Sequence, residues 1–427
     1  MLRTTFRLAL LAGTMLGAGL AEAHDHAKKP IAGMMLAQAH DHANKPTELK
    51  QFGNLPHDSA VNAVNADVPL FDGLGSHSWP ITTANPMAQR YFDQGLRLAY
   101  GFNHWEARRA FRAAQALDPD CAMCFWGEAL VLGPNINAPM PEEATEPALA
   151  ALRKAEDLAG KASDKEQALI AALSKRYSAD KQAERPVLDL AYADAMREVA
   201  ARFPDDQDIA TLYAEAIMDL SPWDYWAEGG TKPKGRTAEL VTTLERVLAA
   251  NPEHAGAIHL YIHAVEASVD PRRAEPYADR LAAQKLSAGH LAHMPSHIYY
   301  RVGRYRDSLE VNKAAMAADE AYLARVKAEG LYPGAYYPHN IHFVLVSAQM
   351  AGDGETAIAA AEKLSNALSD DMARAVAWIQ PVKAAPFFAH AQFSVPETVL
   401  ALQAPPAEFP YVTAMWRYAR GTAYARM

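Results

Sequence analysis

Only two cysteines occur in the 427 residues, Cys121 and Cys124, in the run DPDCAMCFW. A thioredoxin-like site would need strands around this C-x-x-C, and strand signals are almost absent. A c-type haem would need histidine after the second cysteine, where Phe125 stands. In an oxidising compartment the pair reads as a local disulfide pinning a helix start; a soft Cu(I) site is the other reading. Positive charge is also sparse. The net charge is −9 and no dense Lys/Arg stripe occurs, which excludes the usual nucleic-acid binders. Beyond the N-terminus no apolar run approaches ~18 residues, so no stable membrane insertion is expected. A nucleophile elbow, a phosphate loop and a cofactor fingerprint are all lacking, so no catalytic residue is assigned.

What is present begins with an export signal. Arg3 and Arg7 precede the apolar run Leu8 to Leu20, and Ala21-Glu22-Ala23 forms an A-x-A cleavage site. Residues 1–23 therefore read as a signal peptide and the mature chain as a soluble periplasmic protein. Residues 24–75 read as a polar, disordered tail holding a duplication, AHDHAKKP and AHDHANKP. After cleavage, His24 and His26, or His40 and His42, would lie beside a free amine. That geometry suits square-planar Cu(II) or Ni(II); a solvated linker is the plainer reading.

Residues 76–427 carry helical periodicity. Between Ala88 and Asp120, Gly95, Ala107, Phe111, Ala114 and Pro119 fall at positions 8, 20, 24, 27 and 32 of a roughly 34-residue unit. Pro204 and Pro252 fit position 32 of later units, each followed by a first helix, Gln207 to Leu220 and Ala255 to Ala267. Gly303 and Gly352 fit position 15, the turn between paired helices; Ser308 and Ala357 then take position 20 and Ala315 position 27. These residues resemble the tetratricopeptide repeat (TPR) family. The wider wording, with CAMCFWGEAL, GPNIN and HMPSHIYYRVGRY, resembles exported bacterial TPR proteins. The resemblance covers residues 85–370 and implies an all-α fold, an α-solenoid of TPR-like antiparallel helix pairs. It also implies a concave groove able to hold a peptide or protein partner. Residues 140–185 and 221–236 fit poorly and read as insertions, the second bringing Trp223, Tyr225 and Trp226 as a lid or a plug. Tyr411 to Met427 reads as a first helix without its partner.

Histidines concentrate on three successive first helices. His290, His293 and His297 share one helix face, within roughly 60° at ~100° per residue. Counted from Gly303 they occupy positions 2, 5 and 9. His339 and His342 occupy positions 2 and 5 of the next unit. His259, His263 and Glu266 occupy positions 5, 9 and 12 of the preceding one. The family resemblance implies that such positions line the groove. The expectation is a transition-metal site, copper or zinc first, nickel or iron next, built from these eight residues. The competing readings are a metal-free scaffold whose histidines hydrogen-bond one another, and a metalloenzyme using the same cluster. Glu215 could face the same groove. His104 reads as a capping or packing residue. Asn135 and Asn137 read as turn residues able to reach a ligand.

Overall fold

The computed structural model describes residues 68–328, 330–375 and 379–427. The signal segment and His24, His26, His40 and His42 lie outside the described residues. Among the described residues no helix is long and apolar enough to cross a membrane. The described chain is all-α apart from a two-residue hairpin, Trp226–Ala227 with Lys232–Pro233, inside the 221–236 insertion.

The first unit shows why the pattern folds as it does. Helix α1 (Pro86–Tyr100) starts at Asn85, whose side chain accepts the Met87 N–H, with proline at the first helical position. Helix α2 (His104–Leu117) starts at Asn103, which caps Glu106 N–H; His104 itself is not the cap. The two pack closely because Gly95 leaves room for the Phe111 ring. A Cβ on Gly95 would lie 2.6 Å from that ring. Gly127, on α3 (Ala122–Val131), meets the same ring from another side at 2.5 Å. Ala107 and Ala114 are fully buried beside it. Cys121 and Cys124 are joined by a disulfide at the start of α3.

Helix pairs continue along the chain: α4 (Thr145–Leu158) and α5 (Asp164–Leu173), α6 (Arg185–Arg202) and α7 (Gln207–Met218), α8 (Thr237–Ala250) and α9 (Ala255–Val265). After α10 (Glu275–Ala283), the histidine-rich run forms α11 (Gly289–His293) and α12 (Pro295–Val302), which pack on α13 (Tyr305–Arg325). The single helix expected there is divided at Met294–Pro295, because proline has no N–H to continue the ladder. Met294 keeps helical dihedrals, so the two pieces stay nearly in register. Then follow α14 (Tyr337–Ala351), α15 (Gly354–Ala367), α16 (Asp370–Ala375), α17 (Ile379–Phe393), α18 (Pro396–Ala401) and α19 (Pro410–Arg426). Gly303 and Gly352 end α12 and α14 with φ of 87° and 78°, the left-handed cap that favours glycine.

Two expectations are corrected. The C-terminal helix has partners, since α19 packs on α17 and α18. Packing also begins before Gly75: Phe71 N–H donates to Gln94 Oε1 at 2.8 Å and Leu74 is buried. The array curls back on itself. Tyr322 on α13 donates to Glu106 on α2 at 3.0 Å, and Asn137 donates to Tyr336 at 3.1 Å, across 216 and 199 residues. These bonds bring α13 and the Tyr332–Tyr336 turn against the first units.

Gly95→Ala should destabilise the fold by about 1–3 kcal/mol, outweighing the helix-propensity gain of about 1 kcal/mol, because Phe111 is held between two glycines. Urea unfolding measures it, and an equal or higher midpoint would show that the ring can shift.

Candidate metal centre

The histidines do not form one groove site; they form two buried triads. His259, His263 and His290 make the first, and His293, His297 and His339 the second. In each, one potential ligand atom per residue lies within 4.8 Å of the others. Helical spacing sorts them. Pairs four apart, His259/His263 and His293/His297, stay together. Pairs three apart, His290/His293 and His339/His342, are separated, because they lean to opposite sides of a helix face. His342 therefore joins neither triad. It is buried, its Nε2 has no hydrogen-bond partner among the described residues, and burial lowers its pKa to about 4.

Within the second triad the tautomers are fixed by acceptors. His297 Nδ1–H donates to Glu266 Oε2 at 2.7 Å. His293 Nδ1–H donates to Asn312 Oδ1 at 2.6 Å, and the Asn312 amide is oriented by its Nδ2 donating to Ser308 O at 2.6 Å. Imidazoles held this way turn Nε2 inward. Those two Nε2 atoms are 2.9 Å apart, and His339 Nε2 is 3.0 Å from that of His293. His339 can donate one proton into this group. Phe343 touches all three rings, with centroids 4.7, 4.8 and 4.9 Å away.

The first triad is served less well. His259 Nδ1–H donates to the Tyr100 carbonyl at 2.6 Å, turning its Nε2 inward. That Nε2 and both nitrogens of His263 and of His290 are buried without a hydrogen-bond partner among the described residues. Each such group costs about 1–3 kcal/mol if left unpaired. Phe102 touches all three rings at 4.4, 6.2 and 5.6 Å. Trp223 packs on His263 at 4.9 Å and Tyr336 on His290 at 4.8 Å. Phe102 and Trp223 hold φ of 54° and 64°, a left-handed conformation costing a non-glycine residue about 1–3 kcal/mol. Asn137 links this wall, accepting from Trp223 Nε1 and donating to Tyr336 Oη, each at 3.1 Å. A π turn, Tyr332–Tyr336, aims Tyr336 at His290. The 221–236 insertion thus covers the site with Trp223 while Tyr225 is buried. Asn135 serves its own turn, accepting from Asn137 and Ala138 N–H.

Burial, then neighbouring imidazoles, holds His259, His290, His293 and His339 well below the ordinary histidine range; burial also lowers His263. Neutral imidazole is the metal-binding form. Glu266 is not a member of either triad. Burial pushes its carboxyl up, but His297 and His263 hold it well below the usual carboxylate range. It acts as the anion that orients His297. Glu215 lies elsewhere, lining a small cavity with His104 and Arg176, and burial raises its pKa to about 7.

Two partners escaped sequence reasoning. Asn312 occupies position 24 of its unit, where Phe111 stands in the first; a polar residue at that buried position was the readable signal. The Tyr100 carbonyl left none, being backbone. A third group, His77, Asp208 and His254, was also missed. Here the donors point at the carboxylate. Tyr100 O–H and His77 Nε2 approach Asp208 Oδ1 at 2.7 and 2.8 Å. His254 Nδ1 accepts the Ala257 N–H, so its proton sits on Nε2, 3.4 Å from the same oxygen. A proton on that nitrogen leaves no lone pair for an ion, and the group reads as a satisfied carboxylate.

No family model matches the chain, and no curated protein matches it. Among solved structures it is similar to the crystal structure of the P58(IPK) TPR domain, at 13% identity, covering 80% of this chain and 99% of that one, with a TM-score of 0.19. A superposition of that quality carries no argument, and the helix-pair architecture stands on the packing described above.

The metal-free protein should lose stability as pH falls from about 6.5 towards 4. Its folded imidazoles resist protons that unfolded ones accept, so protons favour the unfolded chain in that window. His342 alone would account for up to about 3 kcal/mol of the loss. Melts in chelator across this range should show a shallower slope for His342→Phe; an unchanged slope would show that His342 is not the titrating group.

Proposed function

We propose that this chain is a transition-metal-binding protein whose ions are held by the two histidine triads. The supporting observation is that five buried imidazole nitrogens on His259, His263 and His290 find no hydrogen-bond partner among the described residues, while one ligand atom from each of the three residues lies within 4.8 Å of the others. A cation shared by such nitrogens, at ~2.0–2.1 Å, resolves what hydrogen bonding leaves unresolved. The acceptors behind His259, His293 and His297 match the way metal-bound imidazoles are oriented through their distal N–H. An all-nitrogen, neutral donor set suits copper or zinc, with nickel and iron behind them. Three ligands per triad leave coordination positions free for a further ligand.

The alternatives fare less well on the same geometry. A peptide or partner protein lying in the groove over these histidines would have to displace Phe102, Trp223, Tyr336 and Phe343, so that scaffold reading is disfavoured at this surface. Nothing in the fold itself selects a chemistry, so the metalloenzyme reading would need turnover to support it. A periplasmic location rests on the N-terminal residues alone, and it would supply the oxidising setting that suits the Cys121–Cys124 disulfide.

Full-length protein made without an affinity tag should carry stoichiometric copper or zinc by elemental analysis. His259→Ala combined with His293→Ala should lower the content at least tenfold with helical circular dichroism retained. Protein that folds normally, lacks metal and refuses added copper and zinc would sink the proposal.

A further inference from the structure

We infer that the two triads are one dinuclear copper centre, and that two divalent ions seated there share a small bridging anion of the hydroxide class. This rests on the metal-binding reading above. The ligands are interleaved. Helix α11 gives His290 to one triad and His293 to the other, with ring centroids 5.8 Å apart and planes 27° apart. His263 and His297, again from different triads, have centroids 5.5 Å apart. Triads whose rings are in contact can seat two ions, and a shared hydroxide would hold them about 3.5–4 Å apart, the spacing of two-metal sites.

One carboxylate touches both halves. Glu266 Oε2 accepts from His297 at 2.7 Å, and its Oε1 lies 3.7 Å from His263 Nδ1. Filling one half therefore fixes the group that orients a ligand of the other. Each triad also carries its own phenylalanine, Phe102 or Phe343, in contact with all three of its imidazoles. An aromatic ring cannot ligate, so three imidazoles per ion leave coordination positions for an exchangeable ligand.

Charge then selects the ligand. Six neutral imidazoles and one carboxylate cannot balance two buried divalent ions, and uncompensated buried charge is strongly unfavourable. Asp319, the other buried carboxyl near α11, is occupied by Tyr332 and Asn340. A bridging monoanion placed between the ions reduces that excess positive charge where their mutual repulsion is greatest.

The test is titration of metal-free full-length protein with Cu(II), followed by elemental analysis, electron paramagnetic resonance and addition of azide as the probe anion. Two copper ions per chain are expected, with a spin count at least fivefold below two per chain and a new absorption band on adding azide. His290→Phe should bind one copper and give one full spin. If that variant loses its helical circular dichroism, Glu266→Gln is read instead. It should weaken the second copper about tenfold and restore signal. One copper per wild-type chain, or two with two full spins, would overturn the pairing while leaving metal binding intact. A chain that takes up no copper overturns the pairing, and one that also refuses zinc overturns metal binding as well.

Discussion

Imidazoles buried against groups that can only accept hydrogen bonds are the constraint on which this structure turns. A backbone carbonyl, a side-chain amide oxygen and a carboxylate each take one ring N–H, from His259, His293 and His297. Each thereby commits the opposite nitrogen to a lone pair. Several lone pairs aimed at one another in a dry interior repel and cannot be solvated. The helices that carry them, α9, α11, α12 and α14, are otherwise packed as any repeat would be. The polar interior is thus a specified feature of the fold, held at a cost that a bound cation would offset.

The enclosure follows from how the array closes. Loops that cap ordinary helix pairs, at Phe102, at Asn137 and at Trp223, reach the interior because α13 and the Tyr332–Tyr336 turn meet residues about two hundred positions earlier. Two of those loop residues hold a left-handed backbone. Strain of that kind persists only when surrounding contacts over-determine it, and both rings rest on histidines of the first triad. The aromatic wall lowers the local dielectric, which keeps the imidazoles uncharged.

The three polar clusters among the described residues show why counting chemistry-bearing residues is not enough. His77, Asp208 and His254 lie as close together as either triad. Their hydrogens are directed at one carboxylate, which accepts from Tyr100 and His77, although His254 Nε2, 3.4 Å away, makes no hydrogen bond. The histidine triads lack such a sink apart from Glu266. Donor direction, set by which ring nitrogen is already engaged, separates a structural cluster from a candidate ligand set.

The sequence by itself determined the repeat. Small residues at Gly95, Ala107 and Ala114 dictate close helix crossing. Gly303 and Gly352 dictate turns, and recurrence at matching positions put His259, His263, His290, His293, His297 and His339 on neighbouring helices. Local spacing carries that information because each helix pair contacts its neighbours first. Only the tertiary structure decided that the set divides into two triads, that His342 falls outside them, and that Glu266 orients rather than belongs. A 60° lean in one direction or a 40° lean in the other is indistinguishable in a list of positions, yet it sends adjacent histidines to different neighbours. Burial was likewise invisible along the chain, because it depends on contacts between residues some two hundred positions apart that no local pattern encodes.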